Sequence, residues 1–254
     1  MKGKKILFIS SEVVPYMPQT EISTLTYNLP KLVNENGGQT RIFIPKYGNI
    51  NERRHQLHEV IRLSGINLII DDMDMPLIIK VASIPKERMQ VYFIDSEDYF
   101  KGRSGYSKDE NNKLYKDNDE RSIFFSKGVI ETIKKLNWAP DLIHVHGWIA
   151  SLLPLYMKYY YKDDPIFDGT KVVVSLYENA LDGKMDKNFV KKIKYDEIDD
   201  SNLTLLNEST YENLYKIALK YADGAILTSD LKNKFSSVLK NIDIPILECP
   251  HSSD

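Results

Sequence analysis

The stretch KILFISSEVVPYMPQTEISTLTYNLPKLVNENGGQTRIFIPKYG, residues 5–48, decides the fold class. Its first six residues are an apolar run rich in β-forming side chains, which predicts a buried parallel strand. Apolar residues then recur at helical spacing between positions 22 and 33, ahead of Gly37 and Gly38, where glycine can end a helix. RIFI at 41–44 predicts a second strand, which Pro45 ends. Strand, helix and strand in this order predict one βαβ unit.

The same alternation of short apolar strands and amphipathic helices continues along the chain. Further strands are predicted at 66–70, 77–84, 91–94, 142–145, 172–176, 225–228 and 244–247, and helices at 119–136, 148–160, 211–221 and 231–239. Residues 102–118 are predicted to form a long surface loop, and the charged residues 184–202 an exposed helix and loop. Together these elements predict a single α/β domain over residues 1–254, Rossmann-like and doubly wound, with a mostly parallel sheet and helices on both faces.

Composition excludes several function classes. The 34 basic and 36 acidic residues nearly cancel, which gives no electrostatic case for binding nucleic acid. No apolar run approaches the roughly 20 residues needed to cross a bilayer, and the run at 6–9 is too short for a signal peptide. The single cysteine, Cys249, cannot form an internal disulfide, which suits a reducing compartment. We therefore expect a cytoplasmic protein without nucleic-acid or membrane partners.

Polar and aromatic residues follow several of the predicted strands, where open α/β sheets bind their ligands. The candidates for a ligand cleft are Glu12, Asp95, His144, His146, Trp148 and Tyr177, with Glu178 and Asn179 beside the last. Acidic and histidine side chains there would hydrogen-bond ligand hydroxyls, and the aromatic rings would stack. Each residue also has a purely structural interpretation: Glu12 could cap backbone amides, Trp148 could pack in the core, and one histidine could bond a backbone group.

Neither a metal nor a cofactor is expected. His144 and His146 alternate on a strand and therefore point to one face, but no third ligand lies within sequence reach. The first strand is not followed by Gly-x-Gly-x-x-Gly, so dinucleotide binding by that fingerprint is unsupported. The sequence also contains no Walker motif, no serine nucleophile elbow and no His-Glu-x-x-His.

Segments that follow or form the predicted strands resemble a known family in order and spacing. They are ILFISSEVVP at 6–15, RIFIPKYG at 41–48, VYFID at 91–95, DNDER at 117–121 and PDLIHVHGW at 140–148. They resemble the N-terminal, starch synthase catalytic domain of bacterial glycogen synthases and starch synthases. The resemblance implies a two-domain GT-B glycosyltransferase that transfers glucose from ADP-glucose to an α-1,4-glucan, with the sugar nucleotide bound between the domains. It covers only the acceptor-side domain, so this chain is expected to be one half of a GT-B fold without the donor-binding domain.

The resemblance fails where the family binds its donor. After Glu12 the family has Lys-Thr-Gly-Gly, whose lysine and glycines serve the phosphates and sugar of the donor, and those four positions here are Pro18, Gln19, Thr20 and Glu21. An amide nest needs residues without a β-carbon to approach a phosphate closely, and a carboxylate adds repulsion.

Two further motifs have changed. Gly147 and Ile149 replace the aspartate and last histidine of His-x-His-Asp-Trp-His, and Tyr177 replaces a histidine that lies beside the reacting sugar in the family. A tyrosine does not reproduce the proton chemistry of an imidazole near neutral pH.

Three functions therefore remain open. The first is a non-transferring relative of glycogen synthase with a glucan-binding or regulatory role, which would bind an α-glucan, ADP-glucose or a protein partner. The second is an active ADP-glucose-dependent glucosyltransferase, either alone or as half of a split enzyme. The third is an interaction protein without carbohydrate affinity. We also expect the face that meets the second domain in the family to be polar by substitution, or to bind a partner chain or a second copy.

Overall fold

The computed structural model describes residues 1–103, 107–177, 183–227 and 229–248. Glu178, Asn179, Thr228 and Cys249, which were named above, lie outside the described residues. The strands are β1 (Lys5–Ser10), β2 (Gln39–Pro45), β3 (His58–Glu59), β4 (Ile66–Ile70), β5 (Met73–Ile84), β6 (Met89–Asp95), β7 (Leu142–His146), β8 (Lys171–Ser175), β9 (Gly224–Leu227) and β10 (Ile246–Glu248).

Helices connect most of these strands. They are α1 (Glu21–Glu35), α2 (Asn118–Leu136), α3 (Leu153–Tyr159), α4 (Phe189–Lys194), α5 (Asp200–Leu203), α6 (Tyr211–Tyr221), α7 (Ser229–Lys234) and α8 (Ser236–Leu239). Three short 3-10 turns, at Trp148–Ala150, Pro165–Phe167 and Thr204–Asn207, complete the described secondary structure. Among the described residues, no helix is both long and apolar enough to span a membrane.

The sheet is mostly parallel, with the strand order β10-β9-β8-β7-β1-β2-β6-β5-β3 and β4 paired to β5. Phe8 of β1 lies between Ile42 of β2 and His144 of β7, and both pairings are parallel. β5 is antiparallel to both β4 and β6. From β1 the chain first moves outward through β2 and later returns to the other side of β1 through β7. Because crossover connections are right-handed, this reversal places helices on both faces and makes the β1–β7 junction the topological switch point.

Burial explains why the sequence of β1 is continuously apolar. Residues 6–10 are all buried, since helices or loops cover both faces of a central parallel strand. The same pattern at the ends of β2 and β6 extends the core across the sheet. The predicted α/β class, the first βαβ unit and the helices at 119–136 and 211–221 are thereby confirmed.

The prediction of an exposed segment at 184–202 is only partly right, because ten of its 19 residues are exposed and six are buried. Phe189 and Ile193 of α4 are fully buried, and Lys192 on the same helix is held by α2 through two ion pairs. The buried Asp196, just after α4, pairs with Lys127 of α2. The high charge density of this segment indicated solvent exposure, but partners 65 or more positions away in sequence neutralise two of its charges inside the protein.

Two predicted helices are broken in the structure. The segment predicted as one helix over 148–160 is a 3-10 turn followed by α3, in which Pro154 occupies the first turn. Proline has no amide hydrogen to lose in the first turn of a helix, so it is favoured there, although α1 also holds Pro30 in its interior. The helix predicted over 231–239 is divided into α7 and α8 at the buried Phe235. The predicted loop at 102–118 is exposed at 110–113, but its described ends at Ser107 and Asn118 are buried.

Candidate functional site

A cavity of about 240 Å³ lies at the topological switch point, beyond the carboxyl ends of β1, β7 and β8. We call it the switch-point cavity. Its lining residues are Ser11, Glu12, Thr20, Glu21, Ile22, Ser107, Gly147, Trp148, Tyr177 and Tyr215. Three of the sequence candidates, Glu12, Trp148 and Tyr177, are therefore brought together with the two donor-loop positions Thr20 and Glu21.

The start of α1 is closed by its own side chains. Thr20 is the N-cap: its Oγ1 accepts a hydrogen bond from the amide of Ser23 at 3.0 Å, and the Ser23 hydroxyl accepts one from the amide of Thr20 at 2.7 Å. This reciprocal pair is a capping box. The Ser23 hydroxyl also donates to the carbonyl of Pro18 at 2.8 Å, which fixes the preceding loop. Two of the amides that this helix start could offer to a phosphate, those of Thr20 and Ser23, are thus already bonded within the chain.

Two carboxylates border the same helix start. The Thr20 hydroxyl donates to Oε2 of Glu12 at 2.7 Å, and Glu21 is the first residue of α1. Burial raises the pKa of Glu12 above its usual range, although the Thr20 hydrogen bond opposes that rise. Among the described residues that line the cavity, none is a lysine or an arginine. The electrostatics therefore favour a neutral ligand and disfavour an anion.

The two histidines do not line the cavity themselves. Their rings are 4.0 Å apart between centroids, since both side chains lie on one face of β7. His144 bonds the Ser175 hydroxyl through Nε2 at 2.8 Å, and His146 shares a 2.6 Å hydrogen bond between Nδ1 and the hydroxyl of Tyr177. One histidine was predicted to bond a backbone group at a neighbouring strand end. His144 does bond the end of β8, but its partner is the hydroxyl of Ser175 and not a backbone group.

Tyr177 connects this histidine pair to the cavity. Burial raises the pKa of its phenol well above the ordinary value, and the nearby charges of Glu21 and Glu12 raise it further. The phenol is consequently neutral at physiological pH and can act as a hydrogen-bond donor or acceptor. It supplies an aromatic ring and a hydroxyl where the family has an imidazole.

Gly147 has a conformation that other residues cannot adopt without strain. Its φ is +81° and its ψ is 166°, and a β-carbon there would lie 2.4 Å from the Ser11 hydroxyl oxygen. Glycine thus permits the end of β7 to approach the loop after β1 closely. The neighbouring Trp148 is 5% exposed and packs edge-on against Tyr211, so most of its ring belongs to the core and part of it borders the cavity.

Asp95 is not among the residues that line the switch-point cavity. It ends β6, where its Oδ2 pairs with Nζ of Lys80 at 2.8 Å. Lys80 also pairs with Glu52, which in turn pairs with Lys46. The aspartate therefore belongs to a network of alternating charges beyond β2 and β6, and strands β1 and β2 separate β6 from β7.

Tyr215 and Ser107 line the cavity but lie far in sequence from the candidates that the sequence singled out. Tyr215 lies on α6, one helical turn after Tyr211, whose hydroxyl accepts a hydrogen bond from Asn118 at 2.6 Å. The pair of tyrosines four residues apart predicts only that they share a helix face. Ser107 lies in the loop before α2, and its buried hydroxyl has no hydrogen-bond partner in the described part of the chain. No local sequence signal distinguishes it from other loop serines.

The site contains no arrangement that indicates a metal. Among the residues that the structure describes, no three histidine, cysteine, aspartate or glutamate side chains form a group that could hold a metal ion. What the cavity offers instead is a wall of hydroxyls, two carboxylates and three aromatic side chains. Such a combination can hydrogen-bond and stack against a neutral polyol.

Comparisons with known proteins agree with the sequence resemblance. The glycogen synthase of Chlorobium luteolum is 35% identical over 232 residues, which cover 91% of this chain and 46% of that protein. The glycogen synthase of Chlorobaculum tepidum is 35% identical over 226 residues, or 89% of this chain and 46% of that protein. The chain thus spans about half the length of the curated relatives it matches.

A solved structure shares the fold. The catalytic domain of starch synthase IV from Arabidopsis thaliana, bound to ADP and acarbose, superimposes with a TM-score of 0.74 at 17% identity, over 97% of this chain and 52% of that chain. The expected architecture of a GT-B glycosyltransferase domain is confirmed. The family model for the starch synthase catalytic domain matches residues 5–231. This chain therefore belongs to the starch synthase catalytic domain family.

Proposed function

We propose that this domain binds an α-glucan in the switch-point cavity and does not by itself transfer glucose from ADP-glucose. The observation that carries the proposal is the self-bonded start of α1. Thr20 and Ser23 satisfy each other's amides, and the Thr20 hydroxyl is bonded to the carboxylate of Glu12. In the family this loop serves the donor's phosphates, whereas here it carries the charges of Glu12 and Glu21.

The size and lining of the cavity support a sugar ligand. Its volume of about 240 Å³ is below the roughly 300–1,000 Å³ that sites for drug-sized ligands occupy. It therefore matches a sugar residue better than a whole nucleotide sugar. Tyr177 and Trp148 offer ring surface to a pyranose, and the carboxylate of Glu12 can accept hydrogen bonds from hydroxyls.

Glucosyl transfer is tested directly by mixing the protein with ADP-[14C]glucose and glycogen and counting the label in precipitated glucan. We expect no incorporation above the value for glycogen alone. Incorporation by the purified chain would overturn the non-transferring part of the proposal. It would support the second candidate function, an active glucosyltransferase, which the 35% identity to glycogen synthases favours.

Donor binding is tested by calorimetry with ADP. The unchanged chain is expected to show no saturable binding, and the triple variant Pro18→Lys, Thr20→Gly, Glu21→Gly, which restores the family's residues, is expected to gain it. Micromolar ADP binding by the unchanged chain would contradict the proposal.

Glucan binding is tested by retention on an affinity gel that contains glycogen or amylose. We expect retardation of the unchanged chain and weaker retardation of Tyr177→Phe, because the variant loses the hydroxyl that bonds His146 and borders the cavity. A chain that migrates identically with and without glucan would instead support the third function, an interaction protein without carbohydrate affinity.

A further inference from the structure

A second cavity, of about 610 Å³, shares no described lining residue with the switch-point cavity. Three connections form it: the loop after β1, the turn after β2 and the turn between β5 and β6. The side chains that matter for its chemistry are Tyr16, Arg54, His55, Lys86 and Arg88. We call it the basic cavity.

The cationic groups of the basic cavity have no carboxylate partners. Among the described residues, no aspartate or glutamate lies within ion-pairing distance of Arg54, Lys86 or Arg88, and none lines the cavity. In a chain of net charge −2, three unpaired cations around one depression form a local positive field.

The one carboxylate within the β5–β6 turn is held elsewhere. Glu87 lies between Lys86 and Arg88 in sequence, but its Oε1 accepts hydrogen bonds from Lys31 and Tyr27 of α1, each at 2.9 Å. Those contacts hold the carboxylate of Glu87 against α1. The two flanking cations are left to line the cavity.

The backbone around the cavity is strained. Gln56, Lys86 and Arg88 have φ values of +53°, +71° and +51°, and they account for three of the seven non-glycine residues with positive φ in the described chain. Such conformations cost about 1–3 kcal/mol each and concentrate at ligand sites. All three of these residues line this single cavity.

Tyr16 provides a buried donor in the cavity wall. The residue is 6% exposed, and its hydroxyl has no hydrogen-bond partner in the part of the chain that the structure describes. Its ring packs edge-on against Phe93 at 5.0 Å and lies 5.0 Å from the ring of His55. Burial raises the pKa of Tyr16 to about 12, so the hydroxyl keeps its proton at neutral pH. A buried hydroxyl without a partner is unfavourable. The Tyr16 oxygen is itself shielded from solvent, so a ligand in the cavity can accept a hydrogen bond from it only after the cavity wall opens.

We propose that the basic cavity binds a small phosphate-bearing anion. Arg54, Lys86 and Arg88 are exposed and supply the positive charge that carries the site, and the shielded Tyr16 hydroxyl donates a hydrogen bond once the wall opens around it. A phosphate group has several acceptor oxygens and carries close to two negative charges. It can therefore interact with three cations and a neutral donor at once, whereas a ligand with a single carboxylate offers only two oxygens and one charge. This site is separate from the glucan site, and its test does not depend on whether the domain binds glucan.

Calorimetry of the full chain at low ionic strength tests the proposal with three probes: inorganic phosphate, pyrophosphate and a hexose monophosphate. We expect saturable binding of at least one probe, weakened as salt rises. Tighter binding of the hexose monophosphate assigns a phosphate ester as the ligand, and tighter binding of phosphate or pyrophosphate assigns an inorganic ion. Absence of saturable binding for all three probes overturns the proposal.

Variants connect the binding to the cavity. Arg88→Gln is expected to weaken binding about tenfold, because one charge-assisted hydrogen bond is lost. Tyr16→Phe keeps the ring, and we expect it to weaken binding about threefold while leaving the thermal midpoint of the ligand-free protein unchanged or higher. The control is Lys187→Gln, which removes an exposed charge outside the cavity. Equal losses from Lys187→Gln and Arg88→Gln would show non-specific attraction and contradict a built site.

Discussion

The switch-point cavity and the basic cavity have opposite charge, although the short loop after β1 contributes to both. Glu12 borders the first with Glu21, and no described lysine or arginine lines it; Tyr16 borders the second, with three cations and no described carboxylate. An anion is therefore repelled by the first and attracted by the second. The fold thus provides clefts beyond the strand ends, whereas the residues of the surrounding loops decide which ligand each cleft accepts.

The two cavities also differ in how their polar groups are bonded. In the switch-point cavity, Thr20 bonds Glu12, and Tyr177 bonds His146. In the basic cavity the buried Tyr16 hydroxyl lacks a partner within the described residues. Each cavity therefore has one buried hydroxyl without a partner in the described chain, Ser107 in the first and Tyr16 in the second, but only the first also has a carboxylate and a phenol bonded by its own side chains. Four substitutions test this difference.

The largest effect is expected from Gly147→Ala, which would disrupt the switch-point cavity. The variant should lose about 3 kcal/mol or more of unfolding free energy, because a β-carbon meets Ser11 in a backbone conformation that favours glycine. Gly169→Ala is the matched control, since Gly169 also has positive φ but open space around it, and it should lose about 1 kcal/mol. Urea unfolding measures both. Equal losses would mean that the contact with Ser11 does not constrain the cavity.

Thr20→Ala is expected to have the next largest effect, about 2 kcal/mol. It removes the N-cap of α1 and, at the same time, the hydroxyl that donates to the buried Glu12. Thr210→Ala removes the comparable N-cap of α6. The Thr210 hydroxyl has no carboxylate partner among the described residues, so this variant should lose about 1 kcal/mol of unfolding free energy. Chemical denaturation of both variants isolates the Thr20–Glu12 contact. If Thr210→Ala proves the more harmful change, the self-bonded start of α1 is not a stabilising feature.

Glu12→Gln tests the contribution of a buried carboxylate to the charge of the switch-point cavity. Burial raises the pKa of Glu12 in the folded protein, so stability from this group is present at acidic pH and lost as pH rises through the raised pKa. Glutamine does not ionise, and the variant should have a higher thermal midpoint than the unchanged chain at pH 7, with the difference shrinking toward pH 4. Glu212→Gln should behave oppositely, because the hydrogen bond from Lys216 lowers the pKa of Glu212. A stabilisation by Glu12→Gln that does not vary with pH would refute this account.

Asp95→Asn is expected to have the smallest effect. Asp95 pairs with Lys80 outside the switch-point cavity, so retention on the glucan gel should equal that of the unchanged chain. Its stability should fall by about 1 kcal/mol, because Asp95 is buried but asparagine keeps a hydrogen-bond acceptor there and Lys80 keeps its ion pair with Glu52. Tyr177→Phe serves as the comparison within the cavity. A loss of retention by Asp95→Asn as large as that by Tyr177→Phe would extend the ligand site beyond β6.

Much of the architecture could be predicted from the sequence. The apolar run KILFIS predicts β1, and the helical spacing and glycines after it predict α1 and its end near residue 35. These signals are local, because one strand or one helix already encodes its burial pattern. Pro154 could also have been used to place the start of α3, since proline is favoured in the first turn of a helix.

The failures have a common physical cause. The charges at 184–202 indicate exposure unless the partners are known, and the partners of Lys192 and Asp196 are on α2, far away in sequence. Asp95 follows a strand as the other candidates do, but β6 lies on the far side of β2 from β1 and β7. By its position after a strand alone, Asp95 is as good a candidate for the ligand site as Glu12. Only the strand order separates them.

The sequence by itself determined the α/β class, the first βαβ unit, the family, and the change of the donor loop to Pro18, Gln19, Thr20 and Glu21. Each of these depends on residues that are neighbours in the chain. The tertiary structure alone decided that Thr20 bonds Glu12, that Tyr177 bonds His146, and that three cations from two separate turns surround Tyr16. Those contacts join loops that the sheet brings together, and their energies depend on burial and distance, which no stretch of sequence specifies alone.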